Sequence, residues 1–159
     1  MNKRAVLKKI IAKLEGDVAL YAKAAFSARA EATDEQSKAE NKYDTRGLEA
    51  SYLARGQSRQ AAETARALEQ FQKLAVRSFT AGDPVDVGAL VEISQGRERA
   101  CYFIGPCAGG TDIEHDHQEV TVLTPESPLG SQLVGRKQGE TLRCEIGGRR
   151  DDYSILSVT

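Results

Sequence analysis

Proline and cysteine are scarce in this 159-residue chain, and tryptophan is absent. The three cysteines, Cys101, Cys107 and Cys144, are an odd number without CxxC spacing. That pattern argues against a zinc site or a disulfide framework and favours free thiols in a reducing compartment. No apolar run approaches the roughly 18 residues that a membrane-spanning helix needs. The N-terminus also lacks the apolar block of a signal peptide, so we expect a cytoplasmic protein.

Proline is missing from the first half altogether, since the first proline of the chain is Pro84. From Asn2 to about Ser78 the composition is dominated by Ala, Glu, Lys, Arg, Gln and Leu, which are good helix formers. Apolar residues recur there with steps that alternate between four and three, as in a heptad pattern. The residues of this seam are Leu7, Ile11, Leu14, Val18, Tyr21, Ala25, Ala28 and Ala32. The pattern predicts a long first helix.

A second helical run is predicted from about Leu48 to Phe79. Its apolar face is formed by Ala54, Ala61, Ala65, Leu68, Phe71 and Ala75. Large side chains fill the start of the first helix and the end of the second, and alanines fill the remainder. Antiparallel pairing would therefore place large residues against large ones and alanine against alanine. This matching favours a helical hairpin within one chain, with a dimerisation coiled coil as the alternative.

Acidic residues are concentrated where such a hairpin would turn, between about residues 34 and 46. They are Glu31, Asp34, Glu35, Glu40 and Asp44. Glu40 and Asp44 are four residues apart and share a face if that segment is helical. Two carboxylates are a minimal oxygen set for Mg²⁺, which usually keeps waters and phosphate oxygens as its other ligands. A partner would have to supply those remaining ligands.

Basic residues accompany the acidic ones, because Lys38, Lys42 and Arg46 repeat at four-residue spacing. Such a stripe is able to follow a phosphodiester backbone. A solvated helix face with weak surface ion pairs is the simpler explanation of these residues taken alone. Residues 1–79 carry 15 Lys and Arg against 10 Asp and Glu, and residues 80–159 carry 7 against 13. This asymmetry indicates two units of different character.

The second half has the composition of a small sheet domain. The Gly-Asp-Pro sequence at 82–84 breaks the helix, which predicts one domain over 1–79 and another over 80–159. Strand-like runs follow at Ala89–Ser94, Ala100–Ile104, Glu119–Thr124, Thr141–Ile146 and Tyr153–Val158. A short helix is predicted from Pro128 to Val134, with Ser127 as its N-cap. The predicted fold is α+β, with a mostly antiparallel sheet and one short helix.

One cluster in this half resembles a metal site, namely His115 and His117 among Asp112, Glu114 and Asp116. The two histidines would point the same way on a strand, although a polar hairpin or loop is the simpler explanation of the segment. The sequence shows no nucleophile–base pair and no phosphate-binding glycine loop. We therefore expect that the chain is not an enzyme on its own.

Three segments of the second half carry a resemblance to a known family: VTVLTPESPLG at 120–130, LVGRKQGE at 133–140 and YSILSV at 153–158. They resemble the C-terminal signature of the GreA/GreB bacterial transcription elongation factors. Short relatives that lack a full coiled coil share this signature, but the predicted N-terminal hairpin favours the full-length architecture. The resemblance implies an antiparallel coiled-coil hairpin followed by an FKBP-like sheet domain.

The resemblance also implies a function and partners. Factors of this family bind bacterial RNA polymerase as monomers and insert the coiled coil into its secondary channel, near the 3′ end of the nascent RNA. Carboxylates at the turn help to hold a second Mg²⁺, and the polymerase itself then cleaves backtracked RNA by two-metal chemistry. The factor has no cofactor of its own, because the Mg²⁺ is shared with the polymerase active site.

The family pattern at the turn is Asp-x-x-Glu-Asn, and Glu40 and Asn41 match its last two positions. The aspartate of the pattern is replaced by Ser37, so Asp44 is the preferred second carboxylate and Asp34 or Glu35 are the others available. Asn41, Lys42 and Arg46 are expected to contact RNA or the channel.

In the second domain the resemblance assigns contacts with the outer rim of the channel to Glu126, Ser127 and Pro128. Some relatives occupy the same channel and inhibit the polymerase. The alternative function is therefore a channel-binding regulator that does not stimulate cleavage.

Overall fold

The computed structural model describes residues 2–34, 45–146 and 149–159, and for residues 144–146 and 149–151 it describes the backbone alone. Two long helices come first, α1 (Lys3–Thr33) and α2 (Arg46–Gln72). Six strands and a short helix follow: β1 (Leu90–Gln95), β2 (Glu98–Ile104), β3 (Asp112–His115), β4 (Gln118–Leu123), α3 (Gly130–Leu133), β5 (Thr141–Ile146) and β6 (Arg149–Val158). The predicted α+β class is confirmed.

The sheet has the strand order β3-β4-β2-β1-β6-β5. All neighbouring strands are antiparallel except β2 and β4, which pair in parallel with Cys101 opposite Val120. Four of the five strand pairs are thus antiparallel, as predicted, and the one parallel pair makes the sheet a mixed one. The reason is that the chain leaves β2, forms β3 at the edge of the sheet and returns through β4 to lie beside β2.

Contacts divide the chain into two compact units, residues 1–11 with 70–159 and residues 12–69. The first unit thus contains the sheet together with the start of α1 and the end of α2. Val6 and Ile10 are buried there, while the predicted seam residue Ile11 is only half-buried. The division between 79 and 80 that the composition suggested stays a prediction.

Phe71, near the end of α2, is fully buried against one face of the sheet. Its ring centroid lies 6.2 Å from that of Phe103 on β2, with the two rings tilted by 39°. Because side chains alternate along a strand, Phe103 and Ile104 point to opposite faces. The other face is covered by a hydrophobic core that includes Phe79, Val85 and Leu133. The sheet is therefore packed on both sides.

The end of α2 corrects the sequence prediction, since the helix ends at Gln72 and not at Phe79. Phe79 is buried in the sheet core. The Lys3 ammonium lies 4.5 Å from its ring centroid, and the Arg77 guanidinium carbon lies 4.2 Å from it. Burial and the nearby Arg77 charge lower the pKa of Lys3. Ending the helix early lets this aromatic ring reach the core and take two cation–π contacts.

The second unit, residues 12–69, contains the antiparallel parts of α1 and α2. The two helices share a groove that is lined by Ala25, Phe26 and Ala61 at one level and by Ala32 and Ser51 nearer the turn. The buried residues here include three alanines, Ala28, Ala50 and Ala54, and the predicted contact of alanine with alanine stays a prediction. The predicted seam of α2 is wrong at Ala65, which is exposed, whereas Thr64 and Ala67 are buried.

Candidate functional site

The hairpin turns where the sequence predicted, because α1 ends at Thr33 and α2 begins at Arg46. The Thr33 hydroxyl donates to the carbonyl oxygens of Arg29 and Ala30, at 3.0 Å and 3.2 Å. The N–H of Asp34 donates to the carbonyl of Glu31 at 3.4 Å, continuing the turn. Asp34 is thus held directly after the last residue of α1.

The first turn of α2 is stabilised by its own side chains. The Thr45 hydroxyl donates to Glu49 Oε1 at 2.8 Å, and the Glu49 N–H donates to the Thr45 carbonyl at 2.9 Å. A carboxylate in the first turn also interacts favourably with the helix dipole. Of the predicted site residues, Asp34 and Arg46 are therefore placed at the two helix ends that the turn connects.

The other predicted residues of the turn are Glu35, Glu40, Asn41, Lys42 and Asp44, with Ser37 at the position of the family aspartate. All of them lie outside the described residues. The pairing of Glu40 with Asp44 accordingly stays a prediction. Across residues 2–34, 45–146 and 149–159, no three His, Cys, Asp or Glu side chains are grouped closely enough to hold a metal ion. Asp34 offers one carboxylate, and Mg²⁺ would need further oxygen ligands.

His115 and His117 do not form a shared site. They belong to the β3–β4 hairpin, whose two turn residues Asp116 and His117 have positive φ values of 53° and 59°. Such values are typical of a two-residue type I′ turn. His115 is buried, with Nε2 3.3 Å from Asp116 Oδ2, whereas the His117 side chain is fully exposed. Because one ring is buried and the other faces solvent, the two histidines do not act as a pair.

The predicted rim residues follow β4 in a tight turn. Ser127 lies half-buried at its centre, while Glu126 and Pro128 are exposed. The Ser127 hydroxyl donates to the Thr124 carbonyl at 2.7 Å and accepts the N–H of Gly130 at 3.0 Å. The exposed carboxylate and proline ring are therefore presented on a hydrogen-bonded framework.

The short helix after this turn begins later than predicted. It runs from Gly130 to Leu133 and not from Pro128 to Val134, and the residue before it, Leu129, makes no side-chain cap. Ser127 nevertheless binds the N–H three residues ahead, and its carbonyl accepts the N–H of Ser131 at 2.9 Å. Gly130 is required there, since a Cβ would collide with the Thr124 carbonyl and lie 2.6 Å from Ser127 Oγ.

Two cysteine thiols, Cys101 and Cys107, are described, and neither forms a disulfide within the described part of the chain. Burial raises the pKa of Cys101, with a further contribution from the Glu92 carboxylate, and burial alone raises that of Cys107. Raised pKa values leave both sulfurs protonated near neutral pH, which disfavours nucleophilic chemistry at either.

Sequence patterns alone did not reveal a second surface on the hairpin. Phe26 and Tyr52 are large and apolar, yet 76% and 65% exposed. Each is followed three residues later by an arginine, Arg29 on α1 and Arg55 on α2. That repeated aromatic-x-x-Arg spacing is the signal in the sequence that would have identified this surface, because residues three apart share a helix face.

Of the comparisons with known proteins, only the one with solved structures found similar chains. No protein-family model matches the chain, and no curated protein is similar to it. The solved structures that resemble it include those of Gfh1, a GreA factor homologue. The GreA factor homolog 1 (Gfh1) of Thermus thermophilus is 14% identical, with a TM-score of 0.41, and the match covers 94% of each chain. A second structure of the transcription factor Gfh1 is 18% identical, with a TM-score of 0.42, and covers 95% of this chain and 94% of that one.

Gfh1 of Thermus aquaticus is similar at 17% identity and a TM-score of 0.41, over 95% of this chain and 92% of its own.

Proposed function

We propose that this protein is a Gre-type transcription factor that binds bacterial RNA polymerase and places its helical hairpin in the secondary channel. The observation that supports this most is the position of the acidic stretch, which joins the ends of two long antiparallel helices. The 31 residues of α1 measure about 45 Å along the helix axis. Carboxylates that follow the end of one helix and precede the start of the other would be well suited to reach into a partner.

At the turn, the proposed function is to support cleavage of backtracked RNA. Glu40 and Asp44, with Asp34 or Glu35 in reserve, would provide carboxylate ligands to Mg²⁺ shared with the polymerase active site. Asn41, Lys42 and Arg46 would contact the nascent RNA or the channel. The polymerase would perform the hydrolysis, and the protein would act as a cytoplasmic monomer without enzymatic activity of its own.

At the sheet domain, the proposed function is to hold the outer rim of the channel. Glu126 would supply a charge and Pro128 a rigid apolar contact, both on the loop that Ser127 fixes by hydrogen bonds. A preorganised loop loses little entropy on binding. Ser127 is thus a positioning residue and Glu126 and Pro128 are contact residues.

A second function is a channel-binding regulator that occupies the polymerase without stimulating cleavage. Ser37, in place of the family aspartate, favours it, because a hydroxyl is a weaker Mg²⁺ ligand than a carboxylate. The two functions share a binding partner and differ only in the chemistry at the turn.

The decisive experiment adds the protein to stalled, backtracked elongation complexes in the presence of Mg²⁺ and follows release of short 3′ RNA fragments. We expect fragments with the wild type, loss of fragments with Glu40→Ala and Asp44→Ala, and no loss with Glu15→Ala, an exposed acid far from the turn. Binding without fragments at any concentration would favour the regulator. Absence of binding would overturn the proposal altogether.

A further inference from the structure

Every exposed large hydrophobic residue of the described chain lies between residues 20 and 53. These residues are Leu20, Phe26, Leu48, Tyr52 and Leu53. Exposed apolar residues grouped in this way mark interaction surfaces. The sheet unit, by contrast, exposes no residue of this kind in its described part.

Three of the five residues share one side of the hairpin. Successive side chains of a helix point about 100° apart. If the direction of the buried Ala54 is taken as zero, the side chains of Arg55, Leu48 and Tyr52 follow in that order round α2. Leu53 lies on the opposite side of the helix. Counting in the same way from Ala28 on α1 places Phe26 beside Arg29 and puts Leu20 on the opposite side. We call the surface formed by Phe26, Arg29, Leu48, Tyr52 and Arg55 the aromatic–arginine face.

A groove between the helices runs along part of this face, since Phe26, Arg29 and Arg55 line it and Leu48 and Tyr52 do not. It consists of two depressions of about 310 Å³ and about 400 Å³, and Arg29 and Ser58 line both. The other lining residues include Ala22, Ala25 and Ala61 in one depression and Ser51 and Arg55 in the other. Alanine and serine leave room for a third helix to approach closely, and an amphipathic helix in a groove is a common mode of recognition.

Arg29 and Arg55 are the basic residues that line this groove. Lys13 pairs with Asp17 and Arg59 pairs with Glu63, both at 2.8 Å. The guanidinium groups of Arg29 and Arg55 have no ion-pair or hydrogen-bond partner in the described part of the chain. Two unpaired arginines on one side of a groove are complementary to carboxylates on whatever lies in it.

The charge of the unit favours protein over nucleic acid as the occupant. Its described ranges, 12–34 and 45–69, contain as many Asp and Glu as Lys and Arg. Nucleic-acid-binding domains carry a clear excess of positive charge, which these described ranges of the unit lack. Exposed aromatic residues beside arginine are instead typical of the central contacts of protein interfaces.

We propose that the aromatic–arginine face binds an amphipathic helix of the partner, with acidic residues placed to pair with Arg29 and Arg55. The inference rests on the proposed function, in which that partner is RNA polymerase. The apolar side of the helix covers Phe26 and Tyr52, and its carboxylates reach the two guanidinium groups. The hairpin then contributes affinity along its length as well as chemistry at its turn.

The test measures binding of full-length variants to purified RNA polymerase. We expect Phe26→Ala, Tyr52→Ala, Arg29→Glu and Arg55→Glu each to raise Kd by about tenfold or more, as truncation of a central interface residue does. Leu20→Ala and Leu53→Ala remove side chains that are 61% and 54% exposed on the opposite side. Lys23→Glu reverses a charge away from the groove. These controls should bind like the wild type, and circular dichroism should show the same helix content for all variants.

A photo-crosslinking amino acid at position 26 or 52, in an elongation complex, identifies the occupant directly. Crosslinks to an acidic helix of a polymerase subunit support the proposal, and crosslinks to RNA overturn it. If the wild type binds and the groove variants bind as tightly as the controls, the inference fails while the proposed function stands. If the wild type does not bind polymerase, both fail.

Discussion

The ring of Phe71 occupies the space that Gly105 leaves open beside the sheet. A Cβ at position 105 would lie 2.7 Å from Phe71 Cζ and 2.8 Å from Val122 Cγ1. We therefore expect Gly105→Ala to destabilise the protein by about 1–3 kcal/mol, the usual cost of overpacking a core. Urea denaturation provides the measurement. Gly82→Ala is the control, because nothing lies within 4 Å of its Cβ position, and equal stability of the two variants would contradict the packing described.

Gly56 lies inside α2, where a Cβ would meet no atom within 4 Å. We expect Gly56→Ala to stabilise the protein by up to about 1 kcal/mol, because alanine loses less backbone entropy in a helix. The matched reverse change is Ala62→Gly at an exposed position of the same helix, which should destabilise by a similar amount. A lower denaturation midpoint for Gly56→Ala would show that α2 needs a glycine for a reason other than helix packing.

Ser127 fixes the loop that presents Glu126 and Pro128. Ser127→Ala removes the hydroxyl that binds the Thr124 carbonyl and the Gly130 N–H, at an expected cost of about 1–2 kcal/mol. Ser131→Ala loses one exposed bond to the Pro128 carbonyl and should cost less. Thermal unfolding measures both. If the loop also positions the rim contacts, Ser127→Ala will weaken polymerase binding more than Ser131→Ala does.

Asp83 accepts hydrogen bonds from the Thr80 N–H at 2.7 Å and from the Thr80 hydroxyl at 2.8 Å. These bonds lower the pKa of Asp83 below its ordinary value of 3.8. A lowered folded-state pKa contributes stability above the unfolded pKa, and this contribution is lost as pH falls through the lowered value. The wild type should therefore lose more stability than Asp83→Asn on acidification from pH 5 to 2. Melting temperatures of the wild type and of Asp83→Asn between pH 5 and 2 test this prediction. An equal decrease in the two proteins would contradict the lowered pKa of Asp83.

Features of the fold that depend on neighbouring residues were predicted well from the sequence, and features that depend on pairing between distant strands were not. The hairpin and its turn follow from local features, namely proline-free helix formers and a repeating apolar pattern. Strand β3 was missed because its exposed Asp112 and Glu114 alternate with only two buried residues. The parallel pairing of β2 with β4 depends on that missed strand, so local patterns alone could not predict it. The end of α2 was misplaced because only the folded core shows that Phe79 belongs to the sheet.

The candidate functional residues also fall into a group that the sequence identified and a group that it did not. Motifs in the sequence identified the acidic stretch and the loop of Glu126, Ser127 and Pro128 as candidates, and their roles stay predictions. The aromatic–arginine face was missed because a heptad pattern directs attention to the buried side of each helix. Exposure of Phe26 and Tyr52 became apparent only with both helices in place.

Strand β3 forms one edge of the sheet, where a second molecule could pair at high protein concentration. His115 and Gln118 flank the two-residue turn, so the carbonyl of Glu114 points away from β4. Lys9 on α1 donates its ammonium to that oxygen at 2.7 Å. A four-residue strand with exposed acidic side chains and one carbonyl already bound offers little for another chain to pair with. The first helix therefore helps to keep neighbouring molecules from joining edge to edge into aggregates.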